Sequence, residues 1–150
     1  MVVGLSAGDV EELYALRRSL ESLAWAQVSR TESKEARRQA HVHLEEMMRA
    51  AERNDRTEFA TADVRFHTSI IQATGMRRLT AIWEQLEPSI LLFLHVTNAI
   101  GDDLSSPLRE HTELLEVLES GDPDAVVRTL DQHLANSRDI ILPSHVATPL

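Results

Sequence analysis

Asp63, His67, His111 and His133 occupy positions where a helical chain would ordinarily place leucine. Asp63 and His67 stand one helical turn apart in the segment DVRFH, so their side chains share a face. Phe59, Phe66 and Ile70 fall on the same face. His111 lies in the series Leu108, His111, Leu115, Leu118, and His133 in the series Val126, Leu130, His133, Ser137. Each imidazole therefore belongs to the apolar stripe of its own segment. A lone carboxylate there is costly unless it is paired, hydrogen-bonded or bound to a metal. Three imidazoles and one carboxylate that meet in a single core are a suitable ligand set for a divalent cation. The same residues also allow a plainer arrangement, a buried Asp63–His67 pair with two unconnected histidines.

Arg17 is the other chemically unusual residue. Leu13, Leu20 and Ala24 lie one or two turns away on its side of the helix, so it points at least partly inward. Arg18 faces outward, and the same reading sends Tyr14 and Glu21 out with it. A buried guanidinium needs an anion, and its fork suits a carboxylate. That anion is either internal, as a salt bridge, or supplied by a ligand. His95 sits in the apolar stretch Ile90 to Val96, where it either lines a pocket or packs in the core. His41, His43 and His145 lie in polar or terminal settings and are expected in solvent. Glu110 and Glu113 flank His111 but fall off its stripe. There is no Gly-rich phosphate loop, no nucleophile elbow and no HExxH segment.

These residues must be positioned by helices. Ser6 followed by Asp9 resembles a capping box that opens a first helix, roughly over 7–29. Thr31 or Ser33 can cap a second, to about residue 52. Asn54 suits its end, and Asp55 with Glu58 opens a third that Gly75 stops. A fourth runs from about 76 to 99 and ends at Gly101, with Pro88 expected to kink or break it. Ser106 and Pro107 form a cap and first-turn pair for a fifth. Gly121, Asp122 and Pro123 stop that helix and start a sixth, which Pro143 should end. No stretch alternates long enough to make a strand. The expected fold is all-α, an antiparallel bundle of six helices, spanning residues 1–150 as one domain.

The bulk numbers limit the functions this fold can carry. The 150 residues are enough for a proper core, and 43% hydrophobic with 26% charged residues is ordinary for a globular protein. There is no cysteine, so any metal must be held by histidine and carboxylate, and a cytoplasmic location fits. No apolar run suffices to span a bilayer, so no membrane association is expected. The net charge of −9 argues against direct nucleic-acid binding by this chain, since such domains carry a basic face.

The order of these features resembles the FCD domain, the C-terminal effector-binding domain of FadR-type regulators in the GntR superfamily. DVEELYALRRSLESLAW is similar to that family's first helix, including the arginine after the leucine. ATADVRFHTSIIQATGMRRL resembles its Asp-x-x-Phe-His segment followed by Ala-x-Gly. REHTELLEVLESGDPDAVVRTLDQHL resembles its closing signature. Met76 stands where the family often has asparagine, and Pro88 is not part of the pattern. The resemblance implies a bundle of six or seven helices and a homodimer. It implies a divalent ion held by Asp63, His67, His111 and His133 beneath a pocket for a small acid. Family members carry an N-terminal winged helix-turn-helix, and this chain begins where that domain would end.

The expected function is therefore metal-dependent sensing of a small carboxylate: an organic, hydroxy or sugar acid. The ion would be Zn²⁺ or another late first-row ion such as Ni²⁺, with Arg17 meeting a second carboxylate and His95 a candidate pocket residue. DNA would be reached only through the family's N-terminal domain. Two rivals remain: a metalloenzyme acting on a small acid, and a dimerisation module with a structural metal. No carboxylate is evidently placed as the general base that the enzyme reading needs.

Overall fold

Six amphipathic segments become six helices in a computed structural model that describes residues 6–145, with side chains through residue 142. They are α1 (Ala7–Ser29), α2 (Lys34–Glu52), α3 (Arg56–Ala73), α4 (Arg77–Ile100), α5 (Ser105–Glu119) and α6 (Pro123–His145). No strand occurs among the described residues. The first three starts are fixed by side-chain caps. Ser6, Ser33 and Asp55 accept hydrogen bonds from the backbone N–H groups of Asp9, Ala36 and Glu58. The stops use left-handed backbone at Asn54, Gly75 and Gly121, with φ of 52°, 69° and 75°.

Three boundaries differ from the sequence expectation. Helix α5 starts at Ser105, not after a Ser106 cap. Asp103 Oδ1 accepts from both the N–H and the hydroxyl of Ser105, so the aspartate two residues ahead of the helix outcompetes the serine inside it. Pro88 does not break α4, which is continuous from Arg77 to Ile100. Pro88 and Glu84 are both exposed, so water can take the Glu84 carbonyl that the proline leaves without an N–H. Helix α6 runs two residues beyond Pro143, to His145. The side chain of His145 lies outside the described residues.

Helix α1 packs mainly on α6, while α2 is flanked by α3 and α5, and α3 by α4. The core is aliphatic with a few large rings: Trp25, Phe59, Phe66 and Trp83 are fully buried. The α1 stripe is Val10, Leu13, Tyr14, Arg17, Glu21, Ala24, Trp25 and Val28. This corrects the outward placement of Tyr14 and Glu21. Both are buried with Arg17, and only Arg18 faces solvent, paired with Asp131 at 3.0 Å.

Arg56, the first residue of α3, ties the end of α4 to the bundle. Its Nη1 donates to the carbonyls of Asn98 and Gly101, the latter at 3.1 Å, and its Nη2 donates to Asp102 at 3.3 Å. A cation at a helix C-terminus satisfies carbonyls that have no intrahelical donor. Arg56→Ala is expected to cost about 1–2 kcal/mol in urea unfolding and to raise hydrogen exchange in the α4–α5 turn. A loss below about 0.5 kcal/mol would show that water replaces the guanidinium.

Candidate metal centre and cavity

The site draws on four helices. Helix α3 supplies Asp63 and His67, α5 supplies His111, α6 supplies His133, and α1 contributes Arg17 and Glu21. All six are buried. One ring nitrogen from each of His67, His111 and His133 lies within 4.8 Å of the other two. Asp63 adjoins two of the three, with its Oδ1 at 2.9 Å from His111 Nε2 and 3.3 Å from His67 Nε2. The rings pack closely, His67 stacked on His133 at 5.3 Å and His111 edge-on to His133 at 4.4 Å.

The outer nitrogens explain why these rings face each other. His67 Nδ1 is hydrogen-bonded to Glu21. His111 Nδ1 donates to the Pro107 carbonyl at 2.6 Å, and His133 Nδ1 meets Glu110 at 2.7 Å. A neutral imidazole that donates from Nδ1 presents a lone pair at Nε2. Three such lone pairs brought together, two of them beside the Asp63 carboxylate, repel one another unless a cation lies among them. His67 and His111 illustrate this, with their Nε2 atoms 3.2 Å apart. A single proton can relieve one contact, and a divalent ion can satisfy all of them. Outer acceptors that orient ligating imidazoles are also what metal sites require. The residues present thus fit a divalent ion.

The local electrostatics follow the same arrangement. Burial pushes the Glu21 carboxyl up, but the charges of His67 and Arg17 outweigh it and hold it at about 2. Burial likewise opposes ionisation of Asp63, yet His111 and His67 keep its carboxyl well below the usual range. Burial disfavours the cation of His67, and Glu21 and Asp63 reverse this and raise it. His133 is held well below its ordinary value by burial and then by the other two imidazoles, so it stays neutral.

Arg17 has the internal anion that its sequence position allows. Its Nε donates to Glu21 Oε2 at 3.0 Å, an internal salt bridge with both partners essentially buried. Its guanidinium carbon lies 5.6 Å from the Tyr14 ring centroid and 6.0 Å from that of Trp83. Yet its Nη2 has no partner. Arg17, Asp63, His111 and His133 line one cavity of about 520 Å³, within the range of small-molecule sites. Asn98 lines it as well, and its Nδ2 is a second buried donor with no partner.

His95 is not among the residues that line this cavity. It is half-buried on α4, while Leu94, Thr97 and Asn98 of the same helix face the cavity instead. His41 is half exposed beside Glu119, and His43 is partly buried beside Glu46 rather than free in solvent.

Three contributors were not singled out in the sequence as parts of the site. Glu21 was readable, being four residues after Arg17 on the Val10–Val28 stripe. Glu110 falls off the His111 stripe but still reaches His133 because α6 packs alongside α5. Asn98 carried no local signal beyond a polar residue at the end of an apolar helix.

An FCD domain family model matches residues 12–136. The probable D-xylose utilization operon transcriptional repressor of Paenarthrobacter nicotinovorans is 28% identical over 131 residues, covering 87% of this chain and 57% of that protein. The gluconate operon transcriptional repressor of Bacillus subtilis is 23% identical over 144 residues, covering 93% and 59%. The chain thus spans less than two thirds of these relatives. A transcriptional regulator, GntR, from Rhodococcus sp. RHA1 superposes with a TM-score of 0.79 at 21% identity, over 93% of this chain and 66% of that one. The metal-free FCD domain of TM0439 superposes with a TM-score of 0.74 at 21% identity, over 92% and 94%. These two likenesses concern the fold.

Proposed function

The chain belongs to the FCD domain family, and from that premise we propose that it is the metal-dependent, small-carboxylate-sensing part of a GntR-type transcription regulator. One observation carries the reading. Three imidazoles with committed outer nitrogens converge beside a cavity that His111 and His133 line and that also holds two unpartnered buried donors, on Arg17 and Asn98. His67, His111 and His133, with Asp63, would hold a divalent ion, Zn²⁺ or Ni²⁺ being the best matches to imidazole and carboxylate. When bound, that ion would offer open positions to an oxygen of the effector.

The protein's own residues do the rest. Glu21, Glu110 and the Pro107 carbonyl orient the imidazoles. Arg17 and Asn98 present N–H groups to an oxygen acceptor. Because the ligands come from α3, α5 and α6, an effector at this site bears on the relative placement of three helices. It can shift the protein between two arrangements only by binding one of them more tightly. In a longer chain that shift would reach a DNA-binding domain, and the working unit would be a cytoplasmic homodimer. No helix among the described residues is long and apolar enough to cross a membrane.

An enzyme would need a free general base. The two carboxylates nearest the imidazoles after Asp63, those of Glu21 and Glu110, are both engaged with Nδ1 atoms. That favours sensing over turnover.

The test is a thermal-shift series on the purified chain, with its metal content read by native mass spectrometry. Small carboxylates are expected to raise the melting temperature of the Zn²⁺- or Ni²⁺-loaded protein and to leave the chelated protein unmoved. Equal shifts with and without metal would show that the ion is not the anchor. Chemical conversion of a bound acid would replace sensing with catalysis.

A further inference from the structure

The cavity wall carries a charge pattern that selects among carboxylates. Among its described lining residues the sole guanidinium is Arg17, and none is lysine. Its charge is already balanced by Glu21, 3.0 Å away and fully buried. A second ligand carboxylate set against Arg17 would therefore meet an ion pair of zero net charge, not a free cation. Glu110, bonded to His133 Nδ1, also lines the cavity, and Asp102 and Asp103 stand at its exposed edge. These repel a second anion and accept hydrogen bonds from hydroxyl groups.

The unpartnered donors complete the pattern. Arg17 Nη2 and Asn98 Nδ2 belong to residues that are 2% and 6% exposed, and both need an oxygen acceptor. Arg56 holds the Asn98 carbonyl, which fixes the helix end from which this amide projects. A hydroxyl both donates and accepts. A chain of hydroxyls can thus satisfy Arg17 and Asn98 on one side and the carboxylates on the other. A second carboxylate can satisfy only the donors, and it leaves its own charge buried without a counter-ion. Resting on the sensing function proposed above, we infer that the cavity is built for a polyhydroxylated monocarboxylate and discriminates against the dicarboxylate of the same length.

Calorimetric titration of the metal-loaded chain tests this. D-gluconate, D-galactonate and D-xylonate are each compared with the diacid of the same length and configuration: D-glucarate, galactarate and xylarate. Hexanoate serves as an unhydroxylated control. The tightest hydroxylated monoacid is expected to bind at least about tenfold better than its diacid and better than hexanoate. Asp102→Asn with Asp103→Asn should narrow the monoacid-to-diacid ratio by strengthening the diacid. Asn98→Ala should weaken the hydroxylated acid and spare hexanoate. A diacid that binds as tightly as its monoacid overturns the inference and leaves carboxylate sensing intact. So does an Asn98→Ala variant that weakens hexanoate and the hydroxylated acid equally. If no carboxylate binds while the metal does, the sensing function itself fails and the inference falls with it.

Discussion

Glu21→Ala is expected to lower the unfolding free energy of the metal-free chain by about 3–5 kcal/mol, with a fall in melting temperature on the order of 10 °C. Glu21 is fully buried and holds two partners at once, the Arg17 guanidinium at 3.0 Å and the Nδ1 of His67. Alanine would leave the guanidinium in the core without an anion, and His67 without its acceptor. Removing one member of a buried pair is costly because the other keeps its charge and loses its compensation. That loss is a large share of the roughly 5–15 kcal/mol typical of a domain. Two controls separate charge from volume. Glu21→Gln keeps the shape and one acceptor and should cost less. Replacing both partners, Arg17→Met with Glu21→Leu, should restore much of the stability, since an apolar pair carries no buried charge. Urea unfolding with chelator present measures all three. A loss for Glu21→Ala within about 1 kcal/mol would mean that water reaches the guanidinium.

His111→Ala should reduce divalent-metal affinity by about a hundredfold or more. Altering a residue that merely orients a ligand costs roughly ten- to a hundredfold, and His111 is placed as a ligand itself. Its Nε2 lies 2.9 Å from Asp63 and 3.2 Å from His67 Nε2, so it sits at the centre of the polar cluster. The metal-induced rise in melting temperature should disappear with the affinity. Glu110→Gln offers a graded comparison. It keeps an acceptor for His133 Nδ1 but removes the charge, so a smaller loss is expected. Because His111 also packs edge-on to Phe66 at 5.0 Å, the variant is compared with wild type in chelator to isolate the packing cost. Undiminished Zn²⁺ and Ni²⁺ binding by His111→Ala would falsify the ligand assignment.

The sequence by itself determined what is local. Helix starts follow from Ser6, Ser33 and Asp55, because a cap is a contact between residues three apart. Helix stops follow from Gly75 and Gly121, which adopt the left-handed backbone at little steric cost. The shared face of Asp63 and His67 follows from helical periodicity alone. Family membership was legible in the same way, from motifs spread along nearly the whole chain.

What only the tertiary structure decided is how the helices are rotated and set against one another. Periodicity assigns His111 and His133 to the inner faces of α5 and α6, but it does not say that those faces meet α3 at the same level. The α1 stripe shows the limit even within one helix. Counting Leu13, Leu20 and Ala24 as its centre turned Tyr14 and Glu21 outward, whereas the buried arc is centred on Tyr14, Arg17, Glu21 and Trp25. A shift of that arc by a fraction of a turn decides whether Arg17 has an internal partner. His95 and Asn98 are three residues apart on α4, yet only Asn98 faces the cavity. Both are polar residues in apolar surroundings, so nothing in the sequence distinguishes them. The difference comes from how α4 is rotated about its axis against its neighbours, with Arg56 holding its last turn. Contacts between residues far apart in the chain set both, and no local pattern encodes them.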